Sequence, residues 1–143
     1  MELGAHLAAR IRDLPGLQPP PVTEGSEHSC WMVPLRVERW TAARFAEALT
    51  AEGVPAGAGY IGEPIYLCLE ALAGRRTFGA SAHPLDGCHG GRPIAYAPGL
   101  CPRAEEALRH LVTLTIHEHY TREDIEDIAG AARKVATHLP PDC

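Results

Sequence analysis

The sequence has almost no lysine. Of its 13 basic residues only Lys134 is a lysine and the other 12 are arginines, so chemistry that needs a lysine amine for a Schiff base has a single candidate. It has no basic excess: 18 acidic against 13 basic residues give a net charge of −5. That argues against a nucleic-acid surface, which needs a basic stripe. No uninterrupted apolar stretch approaches the ~20 residues of a membrane-crossing helix. The opening Met-Glu-Leu-Gly-Ala-His lacks the basic and apolar regions of a secretory signal. The five cysteines, Cys30, Cys68, Cys88, Cys101 and Cys143, are odd in number and widely spaced, which is not a disulfide framework. The expectation is a soluble cytoplasmic protein with reduced thiols that binds neither nucleic acid nor membrane.

What is present suits one domain. The chain has 143 residues, 45% of them hydrophobic and 22% charged, a globular composition with no internal repeat. Leu3, Leu7, Ile11 and Leu14 fall at helical spacing and predict a leading helix over 2–14, stopped by Pro15-Gly16. The Pro19–Pro21 run then reads as an extended connection. Trp31, Val33, Leu35 and Val37 alternate with Met32, Pro34 and Arg36, predicting a half-buried strand over 29–37 with Pro34 at an edge or bulge. Thr41 suits the N-cap of a helix carrying Phe45, Ala46 and Leu49, with Gly53 after it and a short strand over 54–58. The stretch 59–100 is rich in Gly and Pro and weakly periodic. It reads as long irregular connections around one short helix near Tyr66–Leu72, and connections that long tend to be functional or packed against something else.

Order returns at Pro102, a good first helical residue, with Ala104, Leu108 and Leu111 on one face. A strand over 112–116 follows. Thr121-Arg122-Glu123-Asp124 forms a capping box with Asp in place of Glu. Ile125, Ile128, Ala132, Val135 and Leu139 trace the buried stripe of the helix behind it. The fold class predicted is α+β, a small sheet of about three strands packed by helices on one face, which leaves a second face for a partner.

Several groups of residues invite chemistry. His83, Cys88 and His89 lie close in sequence, and His117 and His119 sit at the i, i+2 spacing that shares a strand face. No C-x-x-C or H-E-x-x-H accompanies them, so no metal site is assigned. Cys88-His89 is a poor nucleophile and base, because sequence neighbours seldom face each other. Arg75-Arg76 can pair with a carboxylate or phosphate, or lie solvated in a loop. Gly87–Gly91 matches neither a Walker loop nor a dinucleotide fingerprint. Tyr60 and Tyr66 flank Gly62-Glu63-Pro64, where they either pack or carry phenol donors to a ligand.

The strings LPGLQPPPV, HSCWMVPLRV, FAEALTAEGVPAGAGYIGEPIY, GLCPRAEEAL and LTIHEHYTREDIEDIAGAARKVA follow one another in order. Together they resemble the C-terminal small domain of the DegT/DnrJ/StrS aminotransferases, pyridoxal-phosphate enzymes that aminate keto-sugars, cyclitols and related precursors, often in antibiotic biosynthesis. The resemblance runs from about Leu3 to Leu139. It implies a fold like the C-terminal domain of fold-type I pyridoxal-phosphate transferases, with the large cofactor-binding domain absent from residues 1–143. Lys134, flanked by Arg133 and Val135, matches a surface lysine of the family. No catalytic, cofactor-binding or metal-binding residue is therefore assigned, and pyridoxal phosphate is expected only in a complete assembly.

By position in the family, Tyr60 and Tyr66 are expected to donate hydrogen bonds to a polyhydroxylated substrate and Arg76 to meet an anionic group. The partner implied is a cofactor-bearing large domain or a full-length homologue, with a homodimer also open. The function expected is the small-domain portion of a split aminotransferase. The alternatives are a non-catalytic binding or regulatory subunit docked on a full-length aminotransferase, and an inactive gene fragment.

Overall fold

A computed structural model describes residues 2–87 and 94–142 of the chain. In chain order the elements are α1 (Glu2–Ile11), β1 (Leu17–Gln18), β2 (Met32–Val37), α2 (Ala42–Ala51), β3 (Ala56–Ala58), α3 (Ile65–Cys68), α4 (Glu70–Ala73), α5 (Pro102–Arg109), β4 (Leu111–Thr115) and α6 (Arg122–His138). The sheet has four strands in the order β1-β2-β4-β3, with every pair antiparallel. The class is α+β as expected, but the strand count is corrected from three to four. The added strand is two residues long: Leu17 and Gln18 pair with Val37 and Arg36. So short a strand leaves no periodicity to read.

The central pair is β2 with β4, in a register that sets Val33 opposite Leu114 and Leu35 opposite Val112. All four side chains are at most 1% exposed, and with Val37 they meet Leu7, Ile11, Phe45, Leu49 and Ile125 in one core. The strand begins at Met32 and not at 29, because Cys30 adopts a positive φ of 55° that an extended strand does not allow. Trp31 is consequently 63% exposed and takes no part in the alternation. β1 covers β2 only at Arg36 and Val37, so Pro34 lies where the strand has a neighbour on one side alone. A ring without an N–H is tolerated there.

The helices end where their local chemistry changes. α1 stops at Ile11, three residues short of the predicted end. Pro15 pushes the residue before it out of helical geometry, and Gly16 takes φ +80°. In α2, Thr41 caps the helix by accepting a hydrogen bond from the Arg44 N–H. The capping box of α6 forms in full: the Thr121 N–H donates to Asp124 at 2.6 Å, and the Asp124 N–H donates back to Thr121 at 3.2 Å. α6 buries Ile125, Ile128, Ala129, Ala132, Val135 and Ala136. α5 differs from expectation, since it buries none of its residues. The single short helix expected near Tyr66–Leu72 is two helical turns, broken at Leu69, whose φ and ψ of −95° and 104° are extended.

The end of the chain is tied to the start of α2. Trp40 is 1% exposed, and its indole N–H donates to the carbonyls of Leu139 and Pro140, each at 3.1 Å. Asp142 accepts from the Thr41 N–H at 2.6 Å and pairs with Arg44. A second tie joins α1 to α6, where Glu126 receives His6 Nε2 at 2.6 Å and Arg10 Nε at 2.9 Å.

Two glycines give opposite predictions for one substitution. A Cβ on Gly4 falls 2.4 Å from the Cβ of Cys30, an atom with nowhere to go. Gly130, in α6, has nothing within 4 Å. Alanine in a helix gains about 1 kcal/mol over glycine, while overpacking a core costs about 1–3 kcal/mol. Gly130→Ala is therefore expected to raise the midpoint of denaturant unfolding and Gly4→Ala to lower it.

Acid should also weaken the fold. Asp142 is held below its ordinary range by Arg44 and then the Thr41 N–H, Glu126 by His6 and then Arg10, and Asp124 by the Thr121 side chain and backbone. Each binds its proton less tightly folded than unfolded, so its contribution is present above the ordinary carboxylate range and is lost as pH falls through the lowered value. The unfolding midpoint is expected to fall steadily from about pH 5 to about pH 2. A midpoint constant over that range would contradict these assignments.

Candidate functional site

The segment after β3 opens with a tight turn. The Gly59 N–H donates to the Leu111 carbonyl at 2.7 Å, and the Gly62 N–H donates to Gly59 at 2.9 Å. Between them Tyr60 holds φ +58°, a left-handed conformation that costs a side-chain-bearing residue. The turn also presses on the end of α5: a Cβ on Gly59 would lie 3.2 Å from the Leu108 carbonyl. Tyr60 is 57% exposed and Ile61 beside it is 46% exposed.

Tyr66 behaves differently. It lies in α3 and is 8% exposed. Among the described residues of 60–100 it is the only buried one. Its hydroxyl donates to the Glu105 carboxylate and accepts from the Cys101 N–H at 3.3 Å. Glu105 also accepts from the Gly99 N–H at 2.7 Å. It sits in the first turn of α5, where a carboxylate meets the partial positive charge of the helix end. Burial, and after it the bond to Glu105, pushes the Tyr66 phenol above its ordinary value, while the Tyr66 hydrogen bond holds Glu105 below its own. The motif strings around Tyr66 and Glu105, 39 residues apart, thus meet in one hydrogen-bonded knot.

The arginines follow α4. Arg75 has φ +49° and its guanidinium reaches the Ile94 carbonyl at 3.4 Å. The Arg76 N–H closes the turn on Ala71 at 2.8 Å. The exposed Arg76 side chain borders a shallow depression of about 480 Å³ with Glu70, Ala73, Gly74 and Thr77. No hydrogen bond among the described residues joins Arg76 to Tyr60 or Tyr66. The structure therefore brings Tyr66 together with Glu105, which sequence reasoning missed, and leaves Tyr60 and Arg76 as separate exposed groups. The one signal that could have found Glu105 is its place in the Cys-Pro-x-Ala-Glu string, four residues from Cys101.

The histidine groups resolve in part. β4 ends at Thr115, so His117 and His119 lie past the strand, with ring centroids 5.7 Å apart and His117 packed 4.0 Å from the Tyr120 ring. Among the described residues no three His, Cys, Asp or Glu side chains converge as a metal site. Cys88 and His89, with most of the Gly87–Gly91 segment, lie outside the described residues. Lys134 donates to Glu52 at 2.6 Å with its side chain 61% exposed. Among the described residues no helix is long and apolar enough to cross a membrane.

No protein-family model and no curated protein matches the sequence. Solved structures do. The chain is similar to DesV of S. venezuelae, solved in complex with a ketimine intermediate, with a TM-score of 0.72 and 22% identity over 96% of this chain. It is also similar to TlmJ, an aminotransferase from Streptoalloteichus hindustanus, with a TM-score of 0.62 and 19% identity over 96% of this chain. In both cases the chain spans 31% of the other chain's length. The fold is thus that of a portion of these larger chains.

The two kinds of site residue should respond differently to substitution. Tyr60→Phe and Arg76→Ala remove exposed groups and are expected to leave stability within about 0.5 kcal/mol of the parent. Tyr66→Phe strips Glu105 and the Cys101 N–H of a partner and should lower the thermal midpoint measurably. Equal midpoints for all three would contradict the division.

Proposed function

We propose that the chain is the small-domain portion of a pyridoxal-phosphate-dependent aminotransferase acting on a keto-sugar, a cyclitol or a related biosynthetic precursor, and that it works with a separate chain that carries the cofactor. The observation that carries this is the likeness to DesV over nearly the whole chain, joined to the resemblance of the motif strings in order. The exposed positions Tyr60 and Arg76, and the Tyr66 segment between them, are the parts assigned to face the substrate.

The described residues do not fit the cofactor itself. A Schiff-base lysine is activated by desolvation or by a neighbouring cation. Lys134, the one lysine of the sequence, is exposed and paired with a carboxylate. In this proposal the cofactor belongs to the partner. A further support is the apolar surface around the segment: Ile61, Ile65, Leu69, Phe78, Ile94 and Leu100 are between 40% and 91% exposed, and apolar side chains left open in numbers mark interaction sites.

The test is capture of the tagged chain from the lysate of its own host, with mass and absorbance spectra of what is retained and an amino-transfer assay on keto-sugar acceptors. A larger chain with the pyridoxal-phosphate chromophore and amino transfer is expected. A colourless chain recovered alone would contradict the proposal and leave an inactive fragment. Recovery of a complete aminotransferase whose activity does not need this chain would favour a docked regulatory subunit instead.

A further inference from the structure

We infer that Glu105 is the positioning residue of the substrate-facing segment, and that Tyr60, not Tyr66, is the phenol it leaves free for a ligand. This rests on the site proposed above. A tyrosine hydroxyl has one proton to give. The proton of Tyr66 goes to Glu105, and its oxygen already accepts from the Cys101 N–H. Tyr66 is thus committed inside the protein, whereas Tyr60 stands 57% exposed.

Glu105 is the point where three stretches meet. Its carboxylate holds α3 through Tyr66, the chain before α5 through the Gly99 N–H, and α5 through its own backbone. Nothing else buried anchors the described part of 60–100. The turn that bears Tyr60 is therefore strung between two fixed points, the Gly59 N–H on β4 upstream and Tyr66 downstream. A left-handed tyrosine is held in place only when its surroundings overdetermine it. Removing the carboxylate frees the downstream point, and the turn is then held at one end.

A glutamine at 105 keeps the length and a carbonyl oxygen that can accept from both Tyr66 and Gly99; an alanine keeps neither. The experiment compares Glu105→Ala, Glu105→Gln and Tyr66→Phe in the full chain. Amide exchange is read at Gly62, whose N–H bonds only to Gly59 and touches none of the substituted groups, and at the buried Ala132 in α6 as the control for global unfolding. Exchange at Gly62 is expected to rise about tenfold in Glu105→Ala and in Tyr66→Phe and to recover most of the way in Glu105→Gln, with Ala132 unchanged throughout.

Alkaline titration of the phenols gives a second reading, of the Tyr66–Glu105 contact itself. Tyr66 is expected to ionise late in the parent, earlier in Glu105→Ala and in between in Glu105→Gln, and that late step is expected to be absent in Tyr66→Phe. Gly62 exchange equal to the parent in Glu105→Ala would overturn the inference. If Glu105→Ala also raises exchange at Ala132, the glutamine and phenylalanine variants decide by the same comparison. In an assembly active in amino transfer, Tyr60→Phe should raise KM more than it lowers kcat, and Glu105→Ala with Tyr66→Phe should cost no more than either alone. A larger KM effect from Tyr66→Phe than from Tyr60→Phe would overturn the assignment of the ligand phenol. Failure of amino transfer in every assembly would sink the proposed function, while Gly62 exchange still judges Glu105.

Discussion

The proton that Tyr66 gives to Glu105 holds together the segment proposed to face the substrate. Most of this protein is organised by ordinary burial: β2 and β4 pair at the centre, and α1, α2 and α6 contribute Leu7, Phe45 and Ile125 to the same core. Residues 60–100 have no such resource, since Tyr66 is their only buried member among those described. A polar knot replaces a core there. Two backbone N–H groups, one phenol and one carboxylate satisfy one another, and the buried hydroxyl is left with no unmet bond. That saturation matters, because a half-satisfied polar knot is costlier than none.

Scaffold and site are therefore stabilised by different physics. The scaffold is fastened at its ends by contacts distant in sequence, Trp40 to the carbonyls of Leu139 and Pro140 and Glu126 to His6 and Arg10. The segment that follows β3 leans on that scaffold through a few hydrogen bonds and exposes its apolar side chains outward. Such a division suits a module whose irregular face is completed by another body. It is also consistent with a chain that spans under a third of the larger chains whose fold it shares.

How much of this could be read in the sequence depended on distance along the chain. α6 was legible to within a residue because its cap, its stripe and its stop are all local signals. β2 and β4 were legible because alternation over five or six residues is a strong pattern. β1 was not, since two residues have no period and their pairing with Val37 and Arg36 is a tertiary fact. The start of β2 was misplaced because the backbone turn at Cys30 carries no signature in that residue type. At the site, Tyr60 and Tyr66 were singled out together as equivalent donors. Only the position of Glu105, 39 residues from Tyr66, separates a committed phenol from a free one, and beyond the Cys-Pro-x-Ala-Glu string that holds Glu105 nothing local to either residue foretells it.

In the proposed assembly the irregular segment is the face that a cofactor-bearing partner completes, and the scaffold stands on its own. Hydrogen exchange of the full chain, measured alone and in the assembly captured from its host, addresses it most directly. Protection gained on assembly is expected to concentrate in residues 60–80 and 94–100, with α6 and β2 unchanged. Protection gained on α1 or α6 instead, with 60–80 exchanging as fast as in the free chain, would contradict it.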